Sequence, residues 1–215
     1  MSGIFAAQTS NPHSRPDAFS AQDARTDWKS APRESRILLI RHTRLTIAPG
    51  ICYGQTDIPL APTFPAEAAV ALARLPWRPS EIRTSPAARC VRLAEFLCAG
   101  APVIQRDPRL LELNFGEWEN RAWNAFRSPQ SEAWARDPMN IRPPGGETGN
   151  EFHQRVGEIR SELLTRIAAD KTGALRIAVV THAGVIRSWQ AHASGRSLMD
   201  FFSAPVPHAQ PIAAP

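Results

Sequence analysis

The sequence predicts a three-layer α/β/α sandwich built on a mostly parallel central sheet. Ile37-Leu38-Leu39-Ile40 and Arg176 to Thr181 are short, nearly continuous apolar runs, the pattern of strands covered on both faces. Strand and helix patterns then alternate along the chain, as parallel strands joined by crossover helices require. At 215 residues there is enough chain for one well-packed domain and no need for a second.

Residues 1–34 mix Ser, Pro, Gln and Asp with few large apolar side chains and read as a flexible N-terminal tail. The domain is assigned to residues 35–204, and 205–215 to a C-terminal tail. After the first strand, which Arg41 ends abruptly, comes a loop with Pro49, Gly50 and Gly54. Pro65 to Leu75 reads as a helix stopped by Pro76, and Glu81 to Thr84 as a second strand. Ala87 to Ala99 carries Val91, Ala94 and Leu97 at helical spacing, with Gly100 as its C-terminal stop and Cys90 and Cys98 as small hydrophobes on it. Val103 to Gln105 forms a further short strand. Residues 108 to 146 contain five prolines that break any long helix, so this stretch reads as a loop-rich insertion outside the core layers. Thr148 and Glu151 form a capping box before Phe152, Val156, Ile159, Leu163 and Ile167, which repeat on one helical face. Gly184 to Ala193 is the helix after the last buried strand. His153 lies off the apolar face of its helix and His192 ends another, so both are expected in solvent, while Trp118, Trp123 and Trp134 anchor the middle loops or line a pocket.

Several functions are excluded at this level. The calculated pI is 9.8, but the net charge is only +5 and comes from scattered arginines without a basic run, so nucleic acid is not an expected partner. That balance suits a small anionic substrate. Three cysteines without a C-x-x-C pair indicate neither a disulfide framework nor a zinc cage. No stretch approaches the ~20 apolar residues of a membrane helix, and neither a secretory nor an organellar leader is apparent. The expectation is a cytoplasmic monomer or homodimer without membrane contact, metal or other cofactor.

The chemistry sits at strand ends. In open α/β sheets, ligands bind beyond the carboxyl ends of the strands, where the following helices present free N–H groups. Ile40-Arg41-His42 and Val180-Thr181-His182 both place a histidine at that level, so neighbouring strands bring two imidazoles and Arg41 to one point. Arg83 to Arg89 crosses another strand-to-helix junction and sets Arg89 in the first turn of a helix, where the dipole disfavours a cation and an anionic ligand compensates.

These segments resemble the histidine phosphatase superfamily, in the branch typified by phosphoglycerate mutase, over about residues 36 to 200. Arg41-His42-Thr43 matches its Arg-His-Gly motif, and Ser85 to Arg89 its Ser-x-x-x-Arg. Leu110 to Glu119 matches Leu-x-Glu-x-x-Phe-Gly-x-Trp-Glu with one slip at the first leucine; Pro144-Gly145-Gly146-Glu147 and Thr181-His182-Ala183-Gly184 complete the order. Within the superfamily, Ile51 to Leu60 looks most like the bacterial α-ribazole phosphatases, which act late in cobalamin assembly. The resemblance implies a phosphomonoesterase acting on a small-molecule phosphate ester, with His42 as nucleophile. Arg41 and Arg89 would serve as forked clamps on phosphate, His182 as a cationic donor and Glu112 as general acid and base, with Glu117, Glu119 and Glu147 as nearby alternatives. Thr43, Arg44, Tyr53, Gly54, Gln55 and Ala183 are the implied substrate-binding residues. Two positions depart from the pattern: Thr43 replaces a glycine, and Ala48 stands where an asparagine would contact phosphate, leaving Thr43, Arg44 or Gln55 as substitutes. A phosphoglycerate mutase, a broad-specificity sugar or nucleotide phosphatase and a non-catalytic phosphate-binding scaffold are the rival readings. A His-His-Glu metal site is disfavoured, because two arginines would repel a cation there.

Overall fold

A computed structural model of the chain describes residues 35–98 and 103–215. The N-terminal segment expected to be a tail and the Gly100 helix stop lie outside those residues. The central sheet contains β1 (Ile37–Arg41), β3 (Glu81–Thr84), β4 (Val103–Arg106), β6 (Ile177–Thr181) and β7 (Pro211–Ala213), in the order β4-β3-β6-β1-β7. All neighbouring pairs are parallel except β7, which runs antiparallel to β1. A small antiparallel ribbon pairs β2 (Ile51–Cys52) with β5 (Arg121–Ala122). The α-helices among the described residues are α1 (Phe64–Ala73), α2 (Ala88–Cys98), α3 (Pro129–Arg136), α4 (Gly149–Ala169) and α5 (Ala183–Ser194).

Strand geometry explains the two-sided core. Side chains alternate between sheet faces, so Ile37, Leu39, Ile177 and Val179 pack with Phe152, Val156, Ile159 and Leu163 of α4 and with Ile186 and Trp189 of α5. Ile40, Ala178 and Val180 face the other way, onto Ala68 and Ala71 of α1 and Cys90, Leu93 and Leu97 of α2. Helix α4 opens as its sequence requires: the Thr148 hydroxyl accepts from the Glu151 N–H at 3.2 Å, and the Glu151 carboxylate accepts from the Thr148 N–H at 2.8 Å. No helix among the described residues is long and apolar enough to cross a membrane.

Three expectations are corrected. Residues 205–215 are not a loose tail, because Pro211 to Ala213 pair with Leu38 to Ile40 and the Ala214 N–H bonds the Ile37 carbonyl at 2.9 Å. A short proline-bearing strand is tolerated at a sheet edge, where one missing donor faces away from the ladder, and it carries little sequence signal. The stretch 108–146 is irregular, yet Leu110, Phe115, Trp118, Trp123, Phe126 and Trp134 are buried in the α4/α5 core; their rings pack edge-to-face and stacked at 5.2–5.9 Å. His153 and His192 are not solvated singly: they stack at 3.7 Å between α4 and α5, in a gap kept open by Gly157, whose added Cβ would lie 2.7 Å from the His192 ring.

Replacing Thr148 by Ala removes one half of the α4 cap and should lower stability by about 1 kcal/mol in urea unfolding, with an unchanged m-value.

Candidate active site

The site is assembled where β1, β3 and β6 end. The β1–β6 register sets Arg41 opposite Thr181, and the ladder continues for one more bond, from the His42 N–H to the Thr181 carbonyl at 2.9 Å. His42 and His182 therefore leave adjacent strands side by side, with ring centroids 5.3 Å apart. Both are buried, as is Arg89, which comes from the first turn of α2 after β3.

Hydrogen bonds define the state of each ring. His42 Nδ1 lies 2.7 Å from the Thr43 carbonyl. A carbonyl only accepts, so Nδ1 carries the proton and the lone pair is on Nε2. Burial first, then Arg41 and Arg89, hold this imidazole well below its ordinary range and keep it neutral. His182 departs from the cationic state expected of it. Arg89 Nε, which can only donate, points at its Nδ1 from 3.3 Å, and Ser85 Oγ lies 2.9 Å from its Nε2. Burial and then Arg89 push its pKa well down as well, so the site as it stands holds His182 neutral with its proton directed at Ser85.

The two arginines are fixed by backbone carbonyls. Arg89 Nη2 donates to Gly54 at 2.6 Å and Nη1 to Thr56 at 2.7 Å, and its guanidinium lies 5.7 Å from the Tyr53 ring centre. Arg41 Nη1 donates to the Val206 carbonyl at 2.7 Å, while its buried Nε has no partner among the described residues. Neither is neutralised by a close carboxylate; the nearest, Asp57, is exposed and 3.9 Å from Arg89. The result is a desolvated patch of positive charge and N–H donors.

Glu112 occupies the N-terminus of α5. Its Oε2 accepts from the Gly184 N–H at 3.1 Å and its Oε1 from the Leu113 N–H at 3.0 Å. The helix end expected to hold a ligand anion thus holds the carboxylate. Gly184 makes room for it, since a Cβ there would meet Glu112 Oε1 at 2.1 Å. A cavity of about 410 Å³ opens beside these groups, its lining including Arg41, Tyr53, Gly54, Glu112, Ala183 and Gly184 together with Phe115, Trp123, Trp134, Phe152 and Phe202. Among the residues lining it, Glu112 is the one carboxylate. Glu147 is committed to Arg155 at 2.6 Å, and Glu119 accepts from the N–H groups of Gln55, Thr56 and Phe115, so both act as braces.

The remaining expected residues divide. Tyr53, Gly54 and Ala183 face the cavity. Gln55 donates from its side chain to the Glu112 carbonyl at 3.0 Å, which braces the acid and does not replace the missing asparagine. Thr43 is buried and contributes its carbonyl; its hydroxyl has no partner among the described residues. Arg44 is turned to Glu67, 3.3 Å away, with its side chain largely in water, and is not part of the site.

Sequence reasoning missed three residues. Arg155 reaches from α4 to the carbonyls of Arg109, Leu111 and Glu112 and fixes the loop that carries the acid. Arg187 lines the cavity from α5, one turn past Gly184, and donates from Nε to the Ala204 carbonyl at 2.9 Å. His208 lies 5.4 Å from the His42 ring. The position of Arg187 on the cavity face of its helix was available as an i, i+3 relation to Gly184; no local pattern marks the other two.

Paired neutral imidazoles and guanidiniums anchored by backbone carbonyls at the ends of parallel strands define an α/β protein whose site suits an anion. The chain belongs to the histidine phosphatase superfamily, branch 1, whose sequence profile matches residues 37–211. Among solved structures, it is similar to one described as a putative α-ribazole-5′-P phosphatase from Escherichia coli (24% identity, 81% of this chain and 87% of that one, TM-score 0.70). A mycobacterial glucosyl-3-phosphoglycerate phosphatase aligns at 22% identity over 79% and 84% of the two chains with a TM-score of 0.66. A protein from Thermus thermophilus aligns at 28% over 81% and 90%, with a TM-score of 0.57. No curated relative matches the chain by sequence.

Replacing Gly184 by Ala should expel the Glu112 carboxylate from the α5 N-terminus; if Glu112 serves as general acid, phosphatase kcat should fall roughly 100-fold, with the circular dichroism spectrum unchanged. Acid should also loosen the fold. His42 and His182 are depressed well below 6.5 and His208 is pushed down to about 4, so below pH 6.5 the unfolded chain binds protons that the folded one does not. Their contribution is intact above 6.5 and is lost as pH falls toward 4; the thermal midpoint should be lower at pH 5 than at pH 7.5, and an equal or higher midpoint at pH 5 contradicts these assignments.

Proposed function

We propose that this protein is a phosphomonoesterase that works through a phosphohistidine on His42 and that its substrate is α-ribazole 5′-phosphate. The observation that carries the reading is the 2.7 Å contact between His42 Nδ1 and the Thr43 carbonyl, which leaves an unprotonated Nε2 on a neutral ring beside two arginines. Nε2 attacks phosphorus in line, the P–N bond forms and the P–O bond to the alcohol breaks. Glu112, in its protonated form, donates to the departing alkoxide. Water then attacks the phosphohistidine; Glu112 takes its proton, the P–N bond breaks, and inorganic phosphate leaves. Covalent catalysis divides one very slow displacement into two easier ones. Phosphate monoesters hydrolyse so slowly unaided that most of the acceleration must come from charge placed around the equatorial oxygens. Arg41 and Arg89 supply it, with forked donors that lysine does not have. Desolvation strengthens both interactions.

The cavity supports the choice of alcohol. Phe115, Trp123, Trp134, Phe152 and Phe202 line the same cavity as Glu112, an aromatic lining that suits a flat, largely apolar leaving group such as a benzimidazole nucleoside better than a free sugar. The fold shared with the structure described as an α-ribazole-5′-P phosphatase agrees with that choice.

His42→Ala should abolish phosphate release, and acid quench of the wild type during turnover should trap an acid-labile phosphoenzyme that the variant lacks. α-Ribazole 5′-phosphate should be hydrolysed with a kcat/KM at least about tenfold above that of a generic aryl phosphate, a difference of ~1.4 kcal/mol in transition-state binding. Equal rates on the two esters rule out the cobalamin assignment, and return of the phosphoryl group to substrate carbon chains in place of release to water points to a mutase.

A further inference from the structure

His208 is a histidine that neither the motif pattern nor the mechanism uses, yet it lies against the nucleophile. Its Nδ1 is 2.9 Å from the His42 carbonyl, and its ring centre is 5.4 Å from that of His42 at a tilt of 59°. Because the carbonyl only accepts, His208 Nδ1 is the donor. Two imidazole-to-carbonyl bonds therefore follow each other along the chain: His208 holds the His42 carbonyl, and His42 in turn holds the Thr43 carbonyl. The peptide plane between His42 and Thr43 is the hinge of this arrangement. Rotation of that plane changes ψ of His42 and φ of Thr43, the torsions that link the His42 Cα to the Thr43 carbonyl, and so disturbs the bond that aims the ring whose Nε2 must point at phosphorus.

The surrounding segment is built toward the same end. The Ala209 N–H bonds the Arg41 carbonyl at 2.9 Å, and the Val206 carbonyl receives Arg41 Nη1 at 2.7 Å. Three bonds from residues 206 to 209 thus fall on two consecutive residues of the nucleophile loop. Ala209 adopts φ +50°, in the left-handed region that a residue with a Cβ disfavours. Backbone held in such a region is disfavoured and persists where the surroundings demand it. Here the left-handed residue turns the chain so that His208 points into the site while the next residues enter β7 beside β1.

We propose that His208 is a positioning residue for the nucleophile: through its Nδ1–H bond to the His42 carbonyl it locks the His42–Thr43 peptide and aims His42 Nε2. This inference rests on the phosphohistidine reading above. At neutral pH the ring carries one proton, which the carbonyl bond assigns to Nδ1; burial and the nearby Arg41 keep it from taking a second, with Glu67 and Arg44 the other charges facing it.

The test exploits the two amides that imitate the two ring nitrogens. In His208→Asn, Nδ2 takes the place of Nδ1; in His208→Gln, Nε2 takes the place of the outer nitrogen. Single-turnover formation of the phosphoenzyme should fall roughly 10- to 100-fold in His208→Gln and in His208→Leu, the scale of an ångström-level misplacement of a reacting group. His208→Asn should remain within about threefold of wild type, less than ~0.7 kcal/mol. KM should change little in all three. A comparable loss in Asn and Gln variants, or no loss in either, overturns the proposal, and so does a Gln variant that outperforms Asn, which would assign the outer nitrogen to phosphate contact. His42→Ala run alongside separates the two levels: retained turnover there defeats the phosphohistidine reading itself, whereas a dead His42→Ala with a fully active His208→Leu defeats only the role of His208.

Discussion

The parallel register of β1 on β6 is the constraint from which the site follows. Arg41 stands opposite Thr181, and one further ladder bond places His42 against the end of β6, so the residues after each strand emerge as neighbours. Side chains alternate along a strand, so a slip of one residue would turn every apolar side chain of β1 toward the wrong helix layer. Burial of Ile37, Leu38, Leu39 and Ile40 holds β1 in the sheet, and the 5.3 Å approach of the two imidazoles follows from its register on β6. Site geometry and fold stability share one set of interactions here, and the loops are relieved of much of the work of alignment.

Around that pair, positive charge is held by carbonyl oxygens in place of carboxylates. Arg89 is anchored by Gly54 and Thr56, Arg41 by Val206 and Arg187 by Ala204. Carbonyls satisfy N–H groups without cancelling charge, so the field remains available to a ligand. The same field, together with burial, keeps His42 and His182 neutral, which is the form a nucleophilic imidazole needs. The negative group of the site is treated differently. Glu112 is held by two backbone N–H groups, one of them at a helix terminus, and it lines the cavity.

Much of this was legible in the sequence, for identifiable reasons. Buried parallel strands announce themselves as apolar runs, the α4 start carries a reciprocal cap, and motifs mark His42, Arg89 and His182 just beyond the ends of strands and Glu112 on the irregular stretch after β4. What was not legible depends on contacts between distant segments. Nothing local in Pro211-Ile212-Ala213 signals a strand, since its pairing is supplied by β1. The aromatic residues of 108–146 lack periodicity because they enter the core from irregular backbone. His153 and His192 look polar and terminal when each helix is read alone, and only the packing of α4 on α5 reveals the stack. The cationic state expected for His182 failed on hydrogen-bond polarity: a guanidinium at Nδ1 demands a lone pair.

The antiparallel strand at the end of the sheet also bears on how the protein comes into being. Arg41 and His42 touch partners 165 and 166 positions further on. Contacts of such separation close late, because the chain must lose the entropy of the whole intervening loop before they form. During synthesis the first strand and both α1 and α2 leave the ribosome long before residues 206 to 213 exist. The loop that carries His42 is thus made early and takes its final form last, when residues 206 to 213 reach it.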